Sequence, residues 1–338
     1  MATELPSNRI EPTEALAELR QFWPELDRLD QASAGLGTRY TCEPLPRLLR
    51  TRGLTRLRAD YLEHARELAR AAAVRALARA DLKGSDVDLI VTVSCTGYLV
   101  PSLDVHLAPL LGLRPDVIRV PLTELGCSGG AAGLALASRH LLAFPDQVAL
   151  VLAVELPSLS FQASDRSLDN LTASLVFGDG AGAAVLSGRS DRPGGRLEVK
   201  RSASHLVPGS AHLLGFDLLD EGFKVVLDRR LARVIRAELP RVLDRFRASD
   251  DLHESQFFVA HAGGLRILDA VEAALELPRS VLELSREVFG SVGNTSSASI
   301  FFALERLMAS LGDEPRQGWG ISLGPGVSIE LMQLAWIA

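Results

Sequence analysis

Two distant stretches of this chain follow one plan, and that repeat restricts the fold more than any other feature. In the first, an apolar run ends at Gly126-Cys127, and the small residues Ser128, Gly129, Gly130, Ala131 and Ala132 follow. An apolar helical pattern of Leu134, Leu136, Leu141 and Leu142 then takes over. In the second, Gly293-Asn294 leads through Thr295, Ser296, Ser297 and Ala298 into IFFALERLMA. Upstream, VSCTG (93–97) corresponds to AHAGG (260–264), which sets Cys95 opposite His261. Equivalent loops of a duplicated fold converge on its pseudo-two-fold axis, so Cys127, His261 and Asn294 are expected to meet.

The rest of the chain reads as alternating strands and helices, hence α/β layers. DVDLIVTVS (86–94) and QVALVLAVE (147–155) are continuous apolar strands of the kind covered on both faces. FGDGAGAAVLSG, RLEVKRSAS, QFFVAHAGG (256–264) and two strands within GWGISLGPGVSIELMQLAW supply the others. Helices are expected at 13–32 (capped by Thr13, interrupted by Pro24), 59–81, about 104–111, about 224–248 and LRILDAVEAALEL. Residues 205–222 read as a variable region, and DRPGG (191–195) is the linker candidate. The division is an N-terminal half, 1–190, carrying the Cys, and a C-terminal half, 191–338, carrying the His and Asn.

At 338 residues and 47% hydrophobic content the chain can bury a large core. A net charge of −6 with interspersed signs argues against nucleic acid as a partner. Three widely separated cysteines without a CxxC point to a reducing compartment and no metal site. MATELPSNRIEPTE lacks the pattern of a signal peptide and no apolar run is long enough for a membrane span, so a soluble, cytoplasmic protein is expected.

A cysteine at the first turn of a helix is an arrangement for making a thiolate, since unpaired N–H groups there can draw its pKa from about 8.5 to roughly 3.5–7.5. A lone Cys in a Gly/Ala seam is otherwise a packing residue, a lone His at a strand end is as often structural, and Asn at a helix start is by default a cap. Three such residues at matched positions of one repeat change the reading. His⁺ beside Cys⁻ gives a nucleophile, and His261 with Asn294 can hold an enolate or tetrahedral oxyanion.

The strings RYTCEPL, CTGYLVPS, GLRPDVIRVPLTELGCSGGAAGL, ELPSLSFQ, SLVFGDGAGAAVL, FVAHAGGLRILDAVE, GNTSSASIFFALERL and LGPGVSIE span nearly the whole chain. In them the sequence resembles the chalcone-synthase-like type III polyketide synthases of the thiolase-fold ketosynthase superfamily. The resemblance implies a thiolase-like fold of duplicated α-β-α-β-α layered halves, with Cys127, His261 and Asn294 as catalytic triad. It places Phe177 and Phe223 as gatekeepers, and Val100 where a dimer partner's residue enters the neighbouring cavity. Gly324, Pro325 and Gly326 form the loop scaffolding the site, and Cys95, Pro157 and Ser296 join the substrate-binding candidates. The implied chemistry is decarboxylative Claisen condensation of acyl thioesters by a homodimer, giving a β-keto or α-pyrone polyketide, with no metal or redox cofactor.

Three departures from the family carry expectations. The short strand before the LP motif is expected to be missing or incomplete. The helix that carries Lys/Arg for coenzyme A in the family here offers Arg20 and Arg28 among acids, whereas Arg39, Arg47 and Arg50 could form a patch for an acyl carrier protein. The alternative is therefore a stand-alone ketosynthase of an antibiotic pathway joining two carrier-bound chains. Finally, tetrahydroxynaphthalene-forming members carry Cys where this chain has Pro157, which argues against that product. A non-catalytic thiolase-fold partner subunit is disfavoured because all three residues are kept. A cysteine hydrolase is disfavoured because no carboxylate is evident to orient His261.

Overall fold

Strand character follows where β-branched and small apolar residues run uninterrupted, and helix character where Leu and Ala recur at turn spacing. The computed structural model describes residues 1–24, 26, 37–50, 53–189, 195–220, 222–246 and 255–338. Its first half runs β1 (Ala2–Glu4), β2 (Asn8–Ile10), α1 (Pro12–Phe22), β3 (Arg39–Thr41), α2 (Leu45–Leu48) and α3 (Leu54–Arg79). It continues with β4 (Leu89–Val93), α4 (Leu103–Leu111), β5 (Ile118–Leu122), α5 (Gly129–Ala143), β6 (Val148–Glu155), α6 (Leu168–Val176) and β7 (Gly180–Ser187). The second half opens with β8 (Arg196–Leu206), β9 (Leu214–Leu219), β10 (Gly222–Leu227), α7 (Leu231–Phe246) and β11 (Phe257–Ala260). It closes with α8 (Leu265–Leu275), α9 (Glu283–Val292), α10 (Ser299–Ser310), β12 (Arg316–Gly324) and β13 (Ser328–Ile337).

The duplication is visible in the strand pairings. One sheet has the order β1-β7-β6-β4-β5 and the other β11-β12-β13-β8. From β4 the pairings run parallel to β6, then antiparallel through β7 to β1. From β11 they run parallel to β12, then antiparallel through β13 to β8. Cys95 follows β4 and His261 follows β11, so their correspondence in sequence is one of position in the fold.

Five layers result. Along β6, alternate residues face opposite ways: Leu150, Leu152 and Val154 pack outward with α3 and α4. Ala149, Val151 and Ala153 face the central layer of α5 and α10. Small residues on that inner face let the two central helices approach closely. A Cβ on Gly130 of α5 would lie 2.1 Å from the Ser297 carbonyl oxygen. On the far side, Phe258, Trp319, Ile321 and Ile329 of the second sheet pack against Leu239, Val242, Leu268 and Val271 of α7 and α8.

Several expectations are corrected. β1 is present, antiparallel to β7, so the first sheet does have its edge strand. The N-cap of α1 is Glu11, with Pro12 in the first turn; Thr13 lies inside, because Pro fits the turn whose N–H needs no partner. The stretch 205–222 contains a strand of the β9–β10 hairpin, and α7 starts at Leu231, not near 224, because VVL completes β10. α9 was not foreseen. Most of the predicted linker and residues 27–36, including Arg28, lie outside the described residues.

Candidate active site

Gly126 adopts φ +52, a bend open to glycine, and a Cβ there would meet Pro325 at 2.4 Å. The Gly324-Pro325-Gly326 loop thus packs directly on the turn bearing Cys127. Ser128 Oγ and Ser328 Oγ, 2.8 Å apart, fasten the same junction. Cys127 itself lies in a short 3-10 turn, Gly126–Ser128, immediately ahead of α5, and is buried.

Around its sulfur the two halves of the repeat meet. The Cys127 thiol donates to Ser296 Oγ at 3.5 Å, and Asn294 is a second hydrogen-bond partner. The Asn294 amide is held by both ends: Oδ1 accepts from Ser296 N (2.8 Å), and Nδ2 donates to Gly263 O (3.4 Å), two residues past His261. His261 Nδ1 accepts from Leu323 N at 3.3 Å, which leaves Nε2 as the N–H of the neutral ring. No carboxylate among the described residues orients His261, as a hydrolase would require. Ser296 sits at φ +49, a conformation L residues rarely adopt. Its hydroxyl is thereby placed between Cys127 and Cys95, whose sulfur is 3.4 Å away.

Electrostatics differ from the expected Cys⁻/His⁺ pair. Burial pushes the Cys127 thiol up to about 11, with Ser296 and Asn294 pulling down and Glu155 pushing further up. Burial pulls His261 down to about 4. Desolvation outweighs the helix-start effect because the sulfur is enclosed. Thiol and imidazole are therefore the resting forms.

Glu155 escaped the sequence reading, although an acid closing the apolar strand VALVLAVE was the signal. It is fully buried and accepts from Thr96 Oγ1 (2.8 Å), Cys95 N (3.1 Å), Thr96 N (3.2 Å) and Ser297 Oγ. Burial raises its pKa and these donors lower it. One carboxylate thus pins the Cys95 loop of the first half to the Asn294 loop of the second.

The remaining candidates are spread around this centre. Phe177 is buried in the cluster containing Cys127, and its backbone forms a parallel bridge with Asn294. Phe223 is half-buried on β10, edge-on to Phe216 at 5.7 Å. Pro157 opens a buried 3-10 turn directly after β6. Val100 is 71% exposed. The expected basic patch is corrected: Arg39 is 5% exposed, buried by the ends of two helices, leaving Arg47 and Arg50 at the surface.

Layered halves with a buried thiol, an imidazole and an amide at their junction define a thiolase-like ketosynthase. Residues 49–190 match the N-terminal domain of the chalcone and stilbene synthases, and residues 198–338 the C-terminal domain. A 1,3,6,8-tetrahydroxynaphthalene synthase from Streptomyces peucetius is 39% identical over 99% of this chain and 91% of its own. The solved structure of such a synthase from Streptomyces coelicolor superposes with TM-score 0.94 at 30% identity, covering 100% and 98% of the two chains. Germicidin synthase of the same organism, a type III polyketide synthase, gives 0.92 at 27% identity over 99% and 98%. The chain belongs to the chalcone and stilbene synthase family, the type III polyketide synthases, and is an acyltransferase that extends acyl chains by Claisen condensation.

Proposed function

We propose that Cys127 carries the acyl chain and that His261 and Asn294 hold the enolate that extends it. The convergence of Ser296, Asn294 and the Cys127 sulfur in one buried site carries this reading. An acyl thioester is attacked by the Cys127 sulfur while the Nε2–H of His261 holds the tetrahedral oxyanion, and the thiol proton passes to the departing carrier sulfur, which leaves as the carrier thiol. A malonyl-type thioester then loses carbon dioxide. Its enolate oxygen is received by the Nε2–H of His261 and the Asn294 amide, donors worth roughly 3–4 kcal/mol each in such roles. The enolate carbon attacks the acyl-Cys carbonyl and expels the Cys127 thiolate. No metal or redox group is needed for these steps. Asn294→Ala is expected to retain Cys127 acylation and to lose malonyl decarboxylation by at least about a hundredfold. Radiolabelled half-reactions check it, and equal loss of both would refute the division of roles.

The donors are best read as coenzyme A thioesters used in the cytoplasm; among the described residues no helix is long and apolar enough to cross a membrane. With Arg39 buried, the case for carrier-protein docking on that face is weak. For the product, Pro157 in place of Cys supports a β-keto or α-pyrone polyketide. The likeness to tetrahydroxynaphthalene synthases supports a second reading, a malonyl-primed aromatic. Mass spectrometry of products from malonyl-coenzyme A alone, and with acyl starters, separates the two.

A homodimer fits the surface. Among the described residues β5 is an edge strand paired with β4 alone, with Ile118 exposed, and Tyr98, Val100, Leu142 and Phe144 are apolar and exposed. Val100 is proposed to enter the partner's cavity. Val100→Trp should shorten the products or cut turnover about tenfold or more with the dimer intact. Wild-type product lengths from this variant, or an active monomer in sedimentation, would refute it.

A further inference from the structure

Arg39 is a buried cation that the reaction does not use, and its surroundings give it a role. Burial pulls its guanidinium down only to about 10, so it stays charged at neutral pH. A buried charge persists only when its donors are met. Here Nε donates to Leu175 O at 3.0 Å and Nη1 to Phe289 O at 3.3 Å. Both carbonyls lie in the last turns of helices, α6 and α9, where the helix dipole favours a cation. The guanidinium also lies over the Phe289 ring, 4.9 Å from its centre.

Those two helices deliver the site. The residue after α6 is Phe177, and the two after α9 are Gly293 and Asn294. Their chains are tied to each other: Asn294 N donates to Val176 O (2.9 Å) and Gly178 N to Asn294 O (3.1 Å). Gly293, at φ +79, has no side chain because Arg39 occupies the place. A Cβ there would lie 2.5 Å from Arg39 Cδ and 2.6 Å from Nε. One side chain therefore joins both helix ends and backs the residue before Asn294.

We infer that Arg39 is a positioning residue for Asn294, setting the amide that receives the enolate by docking the ends of α6 and α9 together. The inference rests on the role proposed above for Asn294. It predicts that loosening Arg39 affects the enolate step and spares loading of Cys127, whose turn is anchored elsewhere by Pro325 and Ser328.

The test uses Arg39→Lys and Phe289→Leu, with Arg39→Met as the severe variant and Asn294→Ala as control, each assayed per folded dimer after circular dichroism and sedimentation. Lysine keeps the charge but cannot serve two carbonyls in a fork, and leucine removes the ring beneath it. Arg39→Lys should slow malonyl decarboxylation about tenfold, mainly in kcat, while acylation of Cys127 stays within about twofold. Phe289→Leu should show the same split with a smaller loss. Arg39→Met, where it folds, should approach Asn294→Ala. Parallel loss of both half-reactions in Arg39→Lys, or loss of neither, would overturn the inference. Failure of Asn294→Ala itself to separate the half-reactions would instead overturn the role of Asn294.

Discussion

Cys127→Ala gives a folded protein that neither accepts an acyl group nor extends one. The site tolerates Ala because its neighbours are already small: Ser128, Gly129, Gly130 and Ala131 continue the turn into α5. The substitution removes one sulfur that makes a hydrogen bond to Ser296, a change costing about 1 kcal/mol. Turnover is expected to fall at least about a thousandfold because the thiol proposed to carry the acyl chain is gone. Thermal melting and product formation are measured on the same preparation. Retained extension at near wild-type rate would remove Cys127 from the mechanism.

His261→Ala is the second large effect, and its pH dependence tells a donor from a base. The Cys127 thiol, pushed to about 11, is almost wholly protonated at pH 7. The thiolate fraction of such a thiol rises tenfold per pH unit up to that value. With Nδ1 accepting from Leu323 N, the neutral ring offers Nε2–H as a donor, so the role proposed for His261 is to hold the developing oxyanion. Acylation in the variant should therefore fall about a hundredfold or more across pH 6 to 9, with a profile parallel to that of the wild type. Stopped-flow acylation over that range compares them. A loss confined to pH 7 that recovers by pH 9 would show that the imidazole serves as a base instead.

The internal repeat made the architecture legible: Cys127 and Asn294 precede the equivalent helices α5 and α10, and His261 follows β11 as Cys95 follows β4, in sheets with the same pairing pattern. Sequence pattern missed what depends on enclosure. Cys127 reads as a helix-start thiolate, but burial of the turn reverses the direction of its pKa. Arg39 reads as a surface charge beside Arg47 and Arg50, yet helix ends distant in sequence close over it. Glu155 closes the apolar run VALVLAVE, and only the fold brings Thr96 and Ser297 to its carboxylate. The β9–β10 hairpin was missed because LGFDLLDEGFKVVL alternates weakly and its tip leaves Leu218 exposed.

The central claim is that the growing chain is held on Cys127. Protein incubated with an acyl-coenzyme A starter, quenched in acid and digested, is mapped by tandem mass spectrometry, with a second sample chased by malonyl-coenzyme A. The acyl mass is expected on the peptide containing Cys127 and should disappear into an extended product on the chase. An acyl group found on Cys95 instead, or extension without any protein-bound acyl group, would contradict that claim.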